Sequence, residues 1–299
     1  MKPIIVEMEV AGALAAARPV VALESTLITH GLPRPENAAA GRMMEHEVRA
    51  SGAVPATIAL LDGQCRVGLP SDALDRLAAM SDARKCSVRD LPIAIARGEC
   101  GGTTVAATMF LAHAAGIPVF ATGGIGGVHR GHPHDVSADL TALGEIPITV
   151  VCAGAKSILD LPLTLEVLET RGVTLVGYRT DTFPAFYTRS SGLPVDVTAD
   201  SPREVAAIIR ARDEAGLKTA VLVVAPVPAS EALAEEEAES AIAAALAEAN
   251  ARGIVGKAVT PFLLARVSEL TGARSKTANL ALLRNNARLA AEIAVALVG

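Results

Sequence analysis

Short, uninterrupted apolar runs alternate along the chain with longer segments of helical pattern. Six runs have the length and the β-branched content of buried parallel strands: 19–23, 56–61, 117–121, 148–152, 173–177 and 220–225. Five segments predict helices: 103–116, 160–172, 231–252, 260–272 and 275–298. This alternation predicts an α/β fold, specifically a three-layer α/β/α sandwich with a mostly parallel central sheet.

Residues with capping preferences mark the ends of two predicted helices. Thr103 or Thr104 can cap the first helix, which runs to Gly116. Asp160 opens the second, which closes at Gly172. No linker rich in Gly, Ser or Pro interrupts the chain, so residues 1–299 are predicted to form a single domain. A (β/α)₈ barrel is the alternative, but six unevenly spaced strands favour the sandwich.

Composition narrows the class of protein. Hydrophobic residues make up 51% of the chain, yet no apolar run reaches the roughly 18 residues that a membrane span needs. The first ten residues lack a signal-peptide pattern, which predicts a soluble cytoplasmic protein without a membrane partner. The four cysteines form no C-x-x-C pair, so neither disulfides nor a zinc ribbon are expected. A net charge of −5 and the absence of tryptophan argue against nucleic acid as a partner.

Two ionisable residues stand just beyond the ends of predicted strands, where open α/β sheets build their ligand sites. Lys156 follows the run 148–152, and Glu24 follows the run 19–23. A lysine in low dielectric more readily becomes an amine nucleophile for aldehyde-level carbons, and a partly buried glutamate is a candidate general acid or base. The alternatives are a lysine whose stem packs while its ammonium reaches solvent and a glutamate in a structural hydrogen bond.

A glycine-rich segment, 121–139, follows the third predicted strand and is expected to form a strand-end loop. The four glycines within 123–127 would let backbone N–H groups approach an anion, and Arg130 could add a bidentate phosphate contact. The segment matches neither the dinucleotide fingerprint nor the P-loop, and a tight structural turn would need the same glycines. Lys85 is either a phosphate-binding lysine or a surface charge. The predicted helix start at Thr103 and Thr104 is a candidate anion site beside it.

The same segment raises the question of a metal. His129, His132 and His134 stand near Asp135 and Asp139, but their spacing fits no familiar zinc motif. A site with a single carboxylate and several waters, suited to Mg²⁺ or Mn²⁺, is more compatible, and solvated loop histidines are the alternative. Elsewhere, four of the seven aromatic residues crowd into 178–187, which can serve a planar ligand or anchor a packed loop.

Seven longer strings, spread over nearly the whole chain, resemble the pseudouridine-5′-phosphate glycosidase family, also called the indigoidine synthase A-like family. They are ALESTLITHGLPRPEN (22–37), GGTTVAATM (101–109), FATGGIGGVHRG (120–131), DVSADL (135–140), VCAGAKSILDLPLTLEVLE (151–169), GYRTDTFPAFYTR (177–189) and GKAVTPFLLARVSELTG (256–272). One departure is the segment between Gly131 and Asp135, which is shorter than expected for this family.

The resemblance implies an enzyme that reversibly joins or splits uracil and ribose 5-phosphate through a carbon–carbon glycosidic bond. It implies that Lys156 is the nucleophile and Glu24 the proton donor. It places a divalent metal, typically Mn²⁺, on Asp135 with water in the other positions. Substrate contacts fall on Lys85, Val105, Ser137, Ala138 and Asp139, and further pocket positions on Thr122, His129 and Asn279. A homotrimer is implied in the same way.

Three other functions compete with this hypothesis. A class I phosphosugar aldolase would also use a Schiff-base lysine. Such an aldolase is more readily built on a (β/α)₈ barrel, which needs more strands than the six predicted here. A C-glycoside synthase of secondary metabolism would join ribose 5-phosphate to another aromatic acceptor, a choice that 177–189 and Asn279 would decide. A non-catalytic sensor of nucleotide phosphates would have no need of the reactive amine of Lys156.

Overall fold

The computed structural model describes residues 4–254, 256 and 259–299. In chain order, the described residues form β1 (Ile5–Val6), α1 (Met8–Ala15), β2 (Val20–Leu23), α2 (Glu36–Ala50), β3 (Val54–Leu61), β4 (Gln64–Val67), α3 (Ser71–Ala79), β5 (Arg84–Cys86), α4 (Leu91–Arg97), β6 (Gly101–Thr103), α5 (Val105–Ala114), β7 (Val119–Ala121), β8 (Val128–His129), β9 (His132–Val136), α6 (Ala138–Glu145), β10 (Thr149–Cys152), β11 (Leu159–Asp160), α7 (Leu161–Thr170), β12 (Thr174–Tyr178), β13 (Val197–Ala199), α8 (Pro202–Glu214), β14 (Val221–Val224), α9 (Glu235–Ala251), α10 (Val259–Leu270) and α11 (Arg274–Val298).

The predicted apolar runs are the centre of one large sheet. Its strand order is β1-β4-β3-β2-β7-β10-β14-β12-β13, and all pairs from β3 to β13 are parallel. The central strands β2, β3, β7, β10 and β14 are buried along their whole length. A strand covered on both faces needs apolar residues at every position, which is why the sequences of these strands are continuous apolar runs. The predicted mostly parallel α/β fold is therefore confirmed.

Helices cover the sheet in two groups. One group contains α11, which packs against α2, α8 and the strands β2, β7 and β10. The other contains α5, α6 and α7, with α5 against β2 and β3. The five predicted helices are confirmed as α5, α7, α9, α10 and α11, and their caps form as expected: Thr104 accepts a hydrogen bond from the Ala107 amide, and Asp160 accepts one from the Leu163 amide.

The expected strand-end loop at 121–139 was only partly right, because it contains a β-hairpin. Strands β8 and β9 pair antiparallel, and β8 also pairs with β11 to form a separate three-stranded sheet. All five residues of β9 are exposed, so its sequence, HPHDV, carries no pattern of burial from which a strand could be predicted. The strands β1, β4, β5, β6 and β13 were missed because they are only two to four residues long.

No helix in the part of the chain that the structure describes combines the length and the apolar character needed to cross a membrane. None of the four cysteines, all within the described residues, forms a disulfide, and three of them are buried.

Candidate functional site

A cavity of about 690 Å³ opens at the carboxyl edge of three neighbouring parallel strands, β2, β7 and β10. The edge of an open parallel sheet is the expected place for a ligand site. Ten of the eleven site residues predicted from the sequence line this cavity: Glu24, Lys85, Val105, His129, Asp135, Ser137, Ala138, Asp139, Lys156 and Asn279. The fold thus brings together residues that are separated by as many as 255 positions.

Glu24 follows β2 and stands half-buried in the cavity wall. Burial raises the pKa of the Glu24 carboxyl above its usual 4.5, although the positive charge of Lys156 and a hydrogen bond from Thr122 oppose the rise. Desolvation disfavours the charged form of an acid, so Glu24 holds its proton closer to neutral pH than an exposed glutamate. A carboxyl group in this state suits a proton donor.

Thr122, predicted as a pocket position, lies behind the wall rather than on it. Its side chain is fully buried, and its hydroxyl donates a hydrogen bond to Glu24. Its backbone carbonyl accepts a hydrogen bond of 2.9 Å from the amide of Asn286, a buried polar residue on α11. Thr122 therefore contacts Glu24 and holds its carboxyl group in place.

Lys156 lies four residues beyond β10, in a backbone segment braced against the glycine-rich segment. Its N–H donates to the Ile125 carbonyl at 3.1 Å, and the Ile125 N–H donates to the Gly154 carbonyl at 3.1 Å. Gly154 has φ +85°, and a Cβ there would collide with the Pro184 carbonyl, so only glycine fits. These bonds present the half-buried Lys156 side chain from a fixed backbone.

Asp139 joins two elements of the wall. Its buried carboxylate accepts hydrogen bonds from the Ala106 amide at 3.0 Å and from the Gly126 amide at 2.8 Å. A Cβ on Gly126 would collide with Ser137 and Asp139, so this close approach requires glycine. Asp139 thus fixes the start of α5 to the glycine-rich segment, a positioning contact that the sequence did not indicate.

One side of the cavity is suited to an anion. Two helices begin there, α5 at Val105 and α6 at Ala138, and Ser137 caps the second by accepting a hydrogen bond from the Asp139 amide. Helix N-termini present N–H groups and partial positive charge. Lys85 and Arg89 also line the cavity, and Arg89 was not predicted.

Asp135 and His129 occupy the hairpin side of the cavity. Burial lowers the pKa of the half-buried His129 imidazole, and the negative charge of Asp135 opposes this effect. Asp135 itself is exposed. In the described residues, no three His, Cys, Asp or Glu side chains form a group able to hold a metal ion. An exposed single carboxylate open to water is nevertheless a suitable donor for Mg²⁺ or Mn²⁺, which retain several waters.

The suggested phosphate contact of Arg130 was wrong, because its guanidinium is already engaged. It donates to the carbonyls of Ser157 and Leu159 at 2.8 and 3.0 Å. It also forms a bidentate ion pair with Glu239 on α9, at 2.9 and 3.0 Å. Arg130 does not line the main cavity.

Several wall residues were not identified from the sequence. Phe186 adopts φ +65°, a conformation that bulky residues rarely take, while its N–H donates to the Ala153 carbonyl at 3.2 Å. The aromatic cluster at 178–187 was the only signal for it. Thr260 and Leu264 of α10 and Leu283 of α11 complete the wall, and only the folded chain brings these helices to the sheet edge.

The chain is similar to known proteins over nearly its whole length. The family model described as indigoidine synthase A like protein matches residues 9–296. A pseudouridine-5′-phosphate glycosidase of Methylobacterium nodulans is 56% identical, covering 97% of this chain and 87% of that protein. One of Symbiobacterium thermophilum is also 56% identical, covering 97% of this chain and 96% of that protein.

Two solved structures are also similar to this chain over nearly its whole length. A prealnumycin C-glycosynthase, solved in complex with ribulose 5-phosphate, superposes with a TM-score of 0.92 at 42% identity, covering 100% of this chain and 98% of the other. An indigoidine synthase A-like protein of Thermotoga maritima has a TM-score of 0.90 at 38% identity, covering 99% and 97% of the two chains.

Proposed function

Since this chain belongs to the indigoidine synthase A-like family, we propose that it is a pseudouridine-5′-phosphate glycosidase. The enzyme splits pseudouridine 5′-phosphate, with water, into uracil and ribose 5-phosphate, and the reaction is reversible. The pairing of Lys156 with a glutamate of raised pKa, Glu24, on one cavity carries this proposal. Relatives that are 56% identical over nearly the whole chain bear this name.

The first step opens the ribose ring. A carbon–carbon glycosidic bond has no heteroatom leaving group, so protonation of the base does not expel it. Glu24 instead gives its proton to the ring oxygen while the Lys156 amine bonds to C1′ and the C1′–O4′ bond breaks. The product is a linear sugar joined to the enzyme through nitrogen.

The second step breaks the carbon–carbon bond. The nitrogen bonded to C1′ first loses a proton to water. Its lone pair then forms a C=N bond to C1′ as the bond from C1′ to uracil C5 breaks and C5 takes a proton. Uracil leaves, and water hydrolyses the remaining iminium to ribose 5-phosphate and the free amine of Lys156. A carboxylate nucleophile would form an ester, whose oxygen lone pairs are delocalised into the carbonyl and donate far less readily, which explains why a lysine replaces the paired carboxylates of ordinary glycosidases.

Recognition of the substrate uses the two opposite parts of its structure. The phosphate binds where α5 and α6 begin, near Lys85, Val105 and the backbone of Ala138, between Ser137 and Asp139. The uracil edges contact His129 and Asn279, since a neutral imidazole and an amide can both donate and accept hydrogen bonds.

A C-glycoside synthase is the second candidate, favoured by the high TM-score to the prealnumycin C-glycosynthase. That enzyme is 42% identical to this chain, whereas the glycosidases named above are 56% identical. The greater similarity favours the glycosidase.

An ultraviolet assay with three substrates tests the proposed function. Pseudouridine 5′-phosphate should be cleaved, while unphosphorylated pseudouridine and uridine 5′-phosphate should react at least about 100-fold more slowly, because one lacks the phosphate contacts and the other the carbon–carbon bond. Failure to release uracil from pseudouridine 5′-phosphate in the presence of Mn²⁺ would contradict the proposal. A synthase would instead join ribose 5-phosphate to an acceptor other than uracil.

A divalent cation, with Mn²⁺ as the first choice, would be held by Asp135 through one carboxylate and by water. When bound, such a cation supplies positive charge that stabilises substrate oxygens.

We expect chelation to lower activity and Mn²⁺ to restore it. Asp135→Asn should weaken Mn²⁺ binding by about tenfold or more, measured by electron paramagnetic resonance of the free ion as well as by activity. The control is Asp72→Asn, which changes an exposed carboxylate of α3 outside the cavity. Full activity after exhaustive chelation would remove the cation from the reaction.

Two further properties follow from the family resemblance. We propose that the enzyme is a homotrimer, which sedimentation velocity tests directly, and a monomer at micromolar concentration would contradict it. We also propose that it acts in the cytoplasm, where its thiols stay reduced, and cell fractionation tests this.

A further inference from the structure

The backbone that carries Lys156 borders two cavities. Lys156 and Leu159 line the main cavity, and Ser157 and Leu159 line a second one of about 400 Å³. The side chains of Ser157, Ile158 and Leu159 are buried, so packing helps to fix this segment. Packing of these side chains does not by itself set the orientation of the backbone that carries Lys156, and hydrogen bonds to neighbouring segments also hold it.

Two sets of hydrogen bonds hold this segment. On one side the Lys156 N–H bonds to the Ile125 carbonyl at 3.1 Å. On the other side Arg130 donates from Nη2 to the Ser157 carbonyl at 2.8 Å and from Nε to the Leu159 carbonyl at 3.0 Å. Both carbonyls lie within three residues of Lys156, and the Leu159 N–H closes the turn by bonding to the Lys156 carbonyl at 3.0 Å.

Glu239 fixes the direction in which Arg130 points. Its two carboxylate oxygens accept from Nη1 and Nη2 of Arg130 at 2.9 and 3.0 Å. A planar guanidinium bound in this bidentate way loses its rotational freedom, so its remaining N–H groups face the two carbonyls. The hydrogen bond with Arg130 also lowers the pKa of Glu239, which keeps the pair ionised.

We propose that Arg130, oriented by Glu239, is a positioning residue that sets the direction of the Lys156 amine. This inference rests on the function proposed above. A lysine side chain has four rotatable bonds, so the approach of its nitrogen to C1′ depends on how firmly its backbone is held. The ion pair is partly exposed, with 30% of the Arg130 side chain and 53% of that of Glu239 accessible. Exposed pairs contribute little to stability, whereas a shift of about 1 Å between reacting groups can cost about 100-fold in rate.

The rate of Schiff-base formation at Lys156 tests this role. Ribose 5-phosphate is mixed with the full-length enzyme, and borohydride traps the adduct at increasing times. Arg130→Met should lower both the trapping rate and kcat by about 10- to 100-fold, with KM and the final labelled fraction nearly unchanged. Glu239→Gln, which retains Arg130 but weakens its orientation, should give a smaller decrease. Arg76→Met is the matched control, since Arg76 also forms a bidentate pair, with Asp62 at 2.8 and 2.5 Å, but contacts no wall residue; it should trap at the wild-type rate.

The outcomes separate positioning from folding. A normal trapping rate in Arg130→Met, with only a lower melting temperature, would overturn the inference. If Arg130→Met does not fold, Glu239→Gln decides: a slower rate at full labelling supports the role of the pair, and an unchanged rate rejects it. Absence of any label in the wild-type enzyme would instead reject the covalent mechanism of the proposed function. That result differs from a failure of the positioning role, in which the wild type is labelled and the variants are labelled equally fast.

Discussion

Lys156→Ala should lower the turnover of pseudouridine 5′-phosphate by about 10⁴-fold or more, the scale expected when a covalent nucleophile is removed. Neither neighbouring groups nor water can replace it, because carbon–carbon cleavage needs the lone pair of a nitrogen bonded to C1′. The residue lies at the carboxyl end of a strand and on the cavity wall, so its removal should leave the strand pairing of β10 unaffected. The measurements are uracil release and the melting temperature.

Borohydride trapping separates loss of the nucleophile from loss of binding. Reduction in the presence of ribose 5-phosphate should add the sugar to Lys156 of the wild type, found by peptide mass spectrometry, and to no residue of Lys156→Ala. Lys218→Ala, which removes an exposed lysine outside the cavity, is the matched control and should label and turn over normally. Near-normal activity in Lys156→Ala, or a label on another residue, would reject this assignment.

The parts of the fold that could be predicted are those in which one physical requirement dominates. The strands β7 and β10 are covered on both faces and need apolar side chains at every position, so continuous apolar runs in the sequence reveal them. Strand β9 has the opposite character: backbone pairing with β8 alone defines it, and its five residues are all exposed. Local sequence carries no record of such pairing.

The candidate site divides in a similar way. Lys156 and Glu24 were found because they stand near strand ends, where open α/β sheets build ligand sites, and above all because the family strings surround them. The engagement of Arg130 could not be predicted, since its partner Glu239 lies 109 positions away in the chain. The hydrogen bonds of the Asp139 carboxylate could not be predicted either, because only the folded chain brings the amides of Ala106 and Gly126 to it.

The burial that raises the pKa of Glu24 suits its role as a proton donor, but it also lowers the stability of the folded protein when Glu24 is ionised. The folded state binds the proton of Glu24 more tightly than the unfolded state does, because the pKa of Glu24 is raised above 4.5 on folding. The free energy of unfolding therefore falls as the pH rises from 4.5 through the raised pKa of the folded state. Glutamine has the same shape, accepts the hydrogen bond of Thr122 and carries no charge to bury. Glu24→Gln should therefore raise the melting temperature at pH 8, and by more than it does at pH 5. An equal change at both pH values would show that ionisation of Glu24 does not affect folding.

The same variant should lower cleavage of pseudouridine 5′-phosphate by about 10²- to 10⁴-fold, the usual contribution of a positioned proton donor. Ring opening is the step that needs the proton of Glu24, and the open-chain aldehyde form of ribose 5-phosphate does not require it. Borohydride should consequently still trap ribose 5-phosphate on Lys156 in Glu24→Gln, at a rate much closer to that of the wild type than its cleavage rate is. An equal loss in both reactions would instead assign Glu24 to formation of the iminium. The two rates, measured on one variant that is at least as stable as the wild type at pH 8, thus identify the step at which the proton moves.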